Sequence, residues 1–278
     1  MRAVAHVAFD LLLEARSRRW LLVLAAAISL VLSAIALFLQ LDVVDGSLAA
    51  TRLFGQSLGA DGEAVGLALR PLFAASAWIV FYGGISFGIL ACSDFGPRML
   101  SPGRIELLLS LPLHRVELLV GTWLGVLCIA LLGATWGAGG LTLILGWKTG
   151  VWTLGPLAAG ALACLTFATI HAAMLAVSLW ARSAALSAMV GFALFFAGVV
   201  AGYRDQALAA FQAGIGRELF RWATLALPRV SAVCRDAMAI AGSEAFDPVG
   251  LAARAGAMAA FAGAALALAA WRFEGKDF

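Results

Sequence analysis

The stretch LLVGTWLGVLCIALLGATWGAGGLTLILGW, residues 118–147, contains no charged side chain. A helix that crosses the hydrocarbon core of a bilayer needs about 20 mostly apolar residues, so this stretch exceeds that length by about ten residues. Its glycine-rich part, Trp136-Gly137-Ala138-Gly139-Gly140, predicts a kink, a tilt or a break in the helix. The stretch therefore predicts a membrane-spanning helix.

The composition of the whole chain agrees with a membrane protein. Of the 278 residues, 63% are hydrophobic and 13% are charged, and the mean hydropathy is +0.97. Soluble domains contain about 45–50% apolar and about 25% charged residues. The net charge of +3 is too small to indicate an acidic partner. These values exclude an ordinary soluble enzyme, a disordered chain and a nucleic-acid-binding protein.

The predicted fold class is an all-α polytopic membrane protein with six transmembrane helices in a single transmembrane domain, residues 1–278. The predicted spans are residues 20–40, 71–91, 118–147, 154–180, 184–203 and 248–271. Lys and Arg in the short loops favour cytoplasmic termini, provided that the long stretch between the last two spans is discounted. Residues 42–69 and 204–247 then lie outside. Tryptophans near the span ends, among them Trp123 and Trp147, support these boundaries.

Two segments outside the spans are predicted to lie at the membrane surface. Residues 2–18 carry a narrow polar stripe on an otherwise apolar helix, which predicts an interfacial amphipathic helix or, alternatively, an ordinary cytoplasmic packing helix. Its candidate residues are Phe9, Leu12, Leu13 and Arg16. Residues 204–247 predict short amphipathic helices on or in the outer leaflet, or else a lid over the bundle.

Catalytic and cofactor-binding patterns are absent from the sequence. No predicted span has an Asp or Glu near its centre, which argues against an ion-coupled transporter or a pump. His171, near mid-membrane, either bonds to a neighbouring helix, as a lone His more often does, or ligates a haem or metal. The sequence contains no P-loop, no H-E-x-x-H, no G-x-S-x-G and no C-x-x-C. We therefore expect no enzyme, no catalytic residue, and no metal or other cofactor in this chain.

The loop between the second and third predicted spans reads PGRIELLLSLPLHRVELLVGTWLG, residues 102–125. Pro102 and Gly103 turn the chain, residues 104–111 make about two helical turns, and Pro112 ends them. The apolar side of this short helix consists of Ile105, Leu108 and Leu109. Such a helix is too apolar to lie free in cytosol, which predicts that it docks in a groove of a partner protein.

This loop resembles that of the ABC-2-type permeases, the membrane subunits of many bacterial ABC exporters. The shared pattern comprises Gly103, Glu106 to Pro112, Leu113, Arg115 and Gly121, with Thr122 where a Lys is common. The layout of the whole chain is most similar to the branch that includes the permease of the nitrous-oxide-reductase maturation transporter. That branch often has acidic residues just before the loop helix, where this chain has Arg98.

The resemblance implies a permease subunit in the bacterial inner membrane with both termini cytoplasmic. It implies a second permease copy and two copies of a separate P-loop ATPase that binds ATP and Mg, with no nucleic-acid partner. The loop helix would be the coupling helix, with the residues Arg104, Ile105, Glu106, Leu108, Leu109, Ser110, Pro112, Leu113, His114 and Arg115. Two alternatives stay open: a haem-exporter-like permease of cytochrome maturation, and a membrane scaffold or assembly factor that transports nothing.

Overall fold

The computed structural model of the chain describes residues 2–17, 20–44, 47–53, 56–57, 65–110, 113–210 and 214–275. Its helices are α1 (Arg2–Ser17), α2 (Trp20–Phe38), α3 (Val65–Cys92), α4 (Phe95–Met99), α5 (Arg104–Ser110), α6 (Arg115–Thr149), α7 (Gly155–Ala181), α8 (Ala184–Gly202), α9 (Arg204–Ala210), α10 (Ile215–Leu225), α11 (Val230–Ala241) and α12 (Pro248–Glu274). Between α2 and α3 lie the strands β1 (Leu39–Val44), β2 (Ser47–Leu53) and β3 (Gln56–Ser57), which form an antiparallel sheet in the order β1-β2-β3.

Among the described residues, five helical segments are long and apolar enough to cross a membrane: Arg70–Met99, Arg115–Thr149, Gly155–Ala181, Ala184–Gly202 and Pro248–Glu274. They match the second to sixth predicted spans. The first predicted span coincides with α2, whose 19 residues, Trp20–Phe38, include no charged side chain; the described stretch Ala25–Leu37 within it is shorter than the other segments. The helices therefore indicate a membrane protein, and a sixth span through α2 remains a proposal.

The outer surface of these helices is apolar. Large side chains are exposed on it along several helices, including Leu30, Leu37, Ile79, Leu90, Leu132, Leu143, Phe196 and Leu268. Soluble monomers rarely expose contiguous apolar patches larger than a few hundred Å². A bilayer, which leaves such side chains in an apolar medium, accounts for this surface.

Helix α7 lies at the centre of the bundle. It packs against α3, α6, α8, α11 and α12. Its buried positions include a series of alanines, at 159, 163, 168, 172 and 176, and these small side chains let the neighbouring helices approach closely. Large buried side chains, such as Met174 of α7 and Phe81 and Ile85 of α3, fill the remaining space.

Helix α6 runs as one helix from Arg115 to Thr149, so the break that the glycine-rich part allowed is not observed. The glycines instead form a close contact with α2. A Cβ added at Gly140 would collide with Leu32, and the Trp136 indole donates a hydrogen bond to the Ser29 hydroxyl at 3.1 Å. Gly150, in the left-handed region at φ 71°, ends the helix.

Helix α11 differs from the surface helix that the sequence predicts. It is buried against α3, α7 and α8, and Val230, Val233 and Ala237 are fully inaccessible. Gly202 of α8 allows the close approach, because a Cβ there would strike Ser231. Of the two longer helices in residues 204–247, α10 keeps its large apolar residues exposed and α11 does not.

The bundle has two ends. The α5 end contains α1, α4, α5, the start of α6 and the end of α12, since Arg115 at the start of α6 donates to the carbonyls of Phe273 and Glu274 at 2.8 and 3.0 Å. The α10 end contains the end of α6, α9, α10 and the end of α11, where Ala241 packs on Gly155. Trp123 of α6 donates to the Ala168 carbonyl of α7, so this tryptophan contributes to the packing of these two helices.

Helix α1 confirms the predicted helix over residues 2–18 to within a residue, and it packs along α6. Gly121 and Gly125 of α6 face it: a Cβ at Gly121 would lie 2.7 Å from the Val7 Cβ, and one at Gly125 would lie 3.2 Å from Ala8. The spacing of two small residues four apart thus brings α1 onto the bundle.

Gly121→Val is expected to lower the free energy of unfolding by about 1–3 kcal/mol, because the added methyl groups push α1 off α6. The measurement is a denaturant titration of the purified full chain in detergent. Gly84→Val is the matched control, since a Cβ at Gly84 meets nothing within 4 Å. Equal losses of stability in both variants would contradict this close packing.

Candidate functional site

The helix predicted over residues 104–111 is α5, and a tight turn precedes it. Gly103 lies in the left-handed region at φ 78°, which glycine adopts without strain, directly after Pro102. The Ser101 hydroxyl donates to the Arg98 carbonyl at 2.8 Å, which joins α4 to this turn. Arg98 itself pairs with Asp94 one helical turn earlier. Short connections therefore fix α5 relative to α3.

The inner side of α5 is inserted in the bundle. Ile105 is only 4% exposed and belongs to a buried cluster, at the α5 end, that includes Met99, Leu118, Leu179 and Phe273. This cluster joins α4, α5, α6, α7 and α12. Burial of an isoleucine side chain stabilises by about 1.5–3 kcal/mol, so α5 cannot move without disturbing these helices.

An ion pair connects α5 to α1. The Arg104 guanidinium donates to the Glu14 carboxylate at 2.6 Å, and the Asp10 carboxylate lies 3.9 Å away. The Arg104 and Glu14 side chains are 30% and 21% exposed. The hydrogen bond to Glu14 raises the pKa of Arg104 above its usual value. Both acidic positions of the polar stripe on α1 thus lie near α5; Glu14 is mostly covered, whereas Asp10 stays 68% exposed.

A second contact connects the loop to α12. Arg115 donates to the last carbonyls of α12, as given above, and its guanidinium lies over the Phe273 ring at 5.9 Å. A cation at this position satisfies carbonyls that have no partner within the helix and favours the negative end of the helix dipole. The start of α6 and the end of α12 are therefore held together.

A cavity of about 320 Å³ lies between α1, α4, α5 and α6. Its walls are mostly apolar, formed by Val7, Leu11, Phe95, Met99, Leu107, Leu108, Leu113, Leu118 and Thr122, and its polar lining comes from His6, Asp10, Glu14 and Arg104. The space is large enough for one or two apolar side chains. The exposed Leu107 of α5 is part of its lining.

The predicted coupling residues separate into three groups. Ile105 is buried, and Arg104, Leu108, Leu113 and Arg115 are half-buried within the chain. Glu106, Ser110 and His114 are exposed. Pro112 and the side chain of Leu109 lie outside the described residues. The apolar side that the sequence offers to a partner is therefore covered in large part by the chain itself.

Sequence reasoning missed Leu107, a large apolar side chain of α5 that is 64% exposed. The helical spacing of Ile105, Leu108 and Leu109 directed attention to one side. The signal that was available is the run of three leucines at 107–109, because a two-turn helix cannot bury all of them on one face.

The candidate residues of α1 divide in the same way. Phe9 and Leu13, four residues apart, are exposed on one face, whereas Leu12 packs against the core and Arg16 is exposed. An exposed apolar pair at the α5 end is consistent with a helix at the membrane interface. It also shows that packing against α6 uses a different face.

His171 is 1% exposed in the centre of α7 and stacks on Phe167 with ring centroids 5.6 Å apart. Among the described residues, neither ring nitrogen has a hydrogen-bond partner, so the expected bond to a neighbouring helix is not found there. In that same part of the chain, no three His, Cys, Asp or Glu side chains converge as metal ligands would.

No family model matches this chain, and no curated protein matches it. The resemblance to ABC-2-type permeases therefore depends on the loop residues and the layout alone.

The Arg104–Glu14 pair is expected to show a coupling free energy of about 1–3 kcal/mol, because a partly buried, charge-assisted hydrogen bond is stronger than an exposed pair. A double-mutant cycle with Arg104→Gln and Glu14→Gln, read from the free energy of unfolding, measures it. The control cycle uses Arg221→Gln and Glu218→Gln, an exposed pair at 3.8 Å, where we expect less than about 1 kcal/mol. Indistinguishable couplings in the two cycles would contradict a structural role for the pair.

Proposed function

We propose that this chain is the membrane-spanning permease subunit of an ABC exporter, in which α5 receives the movement of a separate P-loop ATPase. The observation that supports this proposal is the placement of α5: Ile105 is buried in a cluster with four other helices, and Arg104 and Arg115 connect the same loop to α1 and α12. A push on α5 then reaches several helices at once.

The proposed assembly contains two copies of this chain and two copies of the ATPase in the bacterial inner membrane. The ATPase binds ATP and Mg, and this chain binds neither. Closure of the ATPase pair would displace α5, and the spans would change their packing as rigid bodies. The α5 end and both termini are proposed to be cytoplasmic, and α2 is proposed as the first of six spans.

The outward side of α5 supports a specific kind of docking surface. It combines the exposed apolar Leu107 with exposed acidic groups, Glu106 of α5 and Asp10 of α1. A cleft that accepts it would present an apolar pocket flanked by basic side chains, because an interface pairs complementary charges around an apolar centre. The cavity beside Leu107 is available for an apolar side chain of the partner.

Leu107→Asp is expected to weaken ATPase association at least tenfold without unfolding the chain, since the side chain is exposed and a charge would enter an apolar contact. The measurement is co-purification of the full chain with the ATPase encoded nearest to it, together with ATP hydrolysis by the eluate. Leu154→Asp is the matched control, because Leu154 is 74% exposed directly before α7, at the α10 end of the bundle. We expect the chain by itself to hydrolyse no ATP.

Wild-type association and hydrolysis in Leu107→Asp would contradict the docking role of α5. If the ATPase binds the chain but binding neither stimulates nor requires ATP hydrolysis, the transport function would be contradicted and the scaffold alternative would stand. Ile105→Asp is a poor test of docking, because it would place a charge in the chain's own buried cluster.

The proposed topology predicts that Ser110→Cys and Ser243→Cys react with a membrane-impermeant maleimide from opposite sides. Both serines are exposed, one in α5 and one after α11. In inverted vesicles we expect labelling of the α5 position, and in right-side-out vesicles labelling of the position after α11. The parent chain, whose four native cysteines are buried or half-buried, gives the background. Labelling of both from one side would contradict the topology.

A further inference from the structure

At the α10 end, a cavity of about 430 Å³ lies between α9 and α10. Its polar lining is dominated by three arginines, Arg204, Arg217 and Arg221, with Asp205 and Glu218 as the acidic members. Asp205 already faces Arg229 at 3.2 Å, and Glu218 lies 3.8 Å from Arg221. The cavity and its rim therefore carry an excess of guanidinium groups over carboxylates.

The guanidinium groups keep donors available. The Nε of Arg204 is buried and has no hydrogen-bond partner among the described residues, and the nearest carboxylate, that of Asp205, is 3.6 Å away. In the same described part of the chain, Arg217 makes no ion pair. Arginine donates through a planar fork that matches the oxygens of a phosphate group. These donors point to an anionic oxygen ligand.

Helix α10 places this cavity at the level of a membrane interface. Ile215, Leu219 and Trp222 form one face at helical spacing, and Ile215 is 89% exposed. Arg217 and Arg221 lie four residues apart on the other side of the helix and line the cavity. An amphipathic helix of this kind lies in the interface with its apolar face among the acyl chains, so its polar face meets the headgroups.

We propose that the cavity between α9 and α10 binds a phosphate group, that of an anionic phospholipid headgroup or of a free phosphate, through Arg204, Arg217 and Arg221. The site is at the opposite end of the bundle from α5 and is independent of the proposed ATPase coupling. A bound headgroup would tie α10 to the lipid that its apolar face contacts.

Native mass spectrometry of the full chain in detergent tests this site, with phosphatidylglycerol and a diacylglycerol of the same acyl chains as probes. The two lipids differ in the phosphate-containing headgroup. We expect the wild-type chain to bind phosphatidylglycerol at least tenfold more tightly than the diacylglycerol. The double variant Arg217→Gln/Arg221→Gln should lose this preference, and Arg217→Lys/Arg221→Lys, which keeps the charge, should recover part of it.

Arg70→Gln is the matched control, because Arg70 is exposed at the same end, where its carbonyl lies near Gly242, and it does not line the cavity. It should keep the wild-type preference. Displacement of phosphatidylglycerol by millimolar inorganic phosphate would identify a site that takes free phosphate as well, and no displacement would identify a lipid site. No preference in the wild-type chain, or a full preference in the glutamine double variant, would overturn the proposal.

Discussion

The packing of five helices around α7 is the constraint on which the rest of the bundle depends. In a bilayer, helix association gains little from the hydrophobic effect and relies on close contact between small residues. The alanines of α7 supply that contact on several sides. Three glycines add to it: Gly88 of α3 faces Phe167 of α7, Gly191 of α8 faces Met174 of α7, and Gly160 of α7 faces Ala138 of α6. Helices that leave large apolar side chains exposed, such as α2 and α12, then form the outside, where lipid replaces protein.

Charged side chains are placed where this packing ends. At the α5 end, Arg104 and Arg115 connect α5 and α6 to α1 and α12. At the α10 end, Arg254 of α12 donates to both oxygens of Asp236 in α11, at 2.8 and 2.9 Å. Burial raises the pKa of Asp236 and Arg254 opposes that rise. Removing one partner of such a pair costs more than the pair contributes, because the other charge is left partly buried.

The sequence predicted the parts of this fold that depend on length and hydrophobicity. The helices α6, α7, α8 and α12 begin and end within three residues of the predicted spans, since an apolar run bounded by polar or turn residues defines a membrane helix. Pro102 and Gly103 marked the turn before α5. The direction in which α11 faces was not predictable, because its small buried residues read equally well as a weakly amphipathic surface helix.

The candidate site shows why contacts between distant segments escape a reading of one sequence. Glu14 and Arg104 are ninety residues apart, and each is unremarkable in its own segment. Arg254 of α12 likewise pairs with Asp236 of α11. In each case the missing information was the partner, which only packing of the helices provides. Gly121 and Gly125 of α6 likewise face α1 of the same chain, which their spacing within α6 does not reveal.

The same contacts bear on how a movement could pass through this protein. A helix of two turns on a flexible loop would absorb a push, because the loop could bend before the spans moved. Here α5 is joined to α3 through α4 and a single turn, is inserted through Ile105, and is tied by Arg104 to α1. Arg115 then continues the connection to α12. These connections leave α5 little freedom to move alone, so its displacement must move several packed helices. The energetic cost therefore falls on the packing between helices. A change between two arrangements of the bundle would have to occur there.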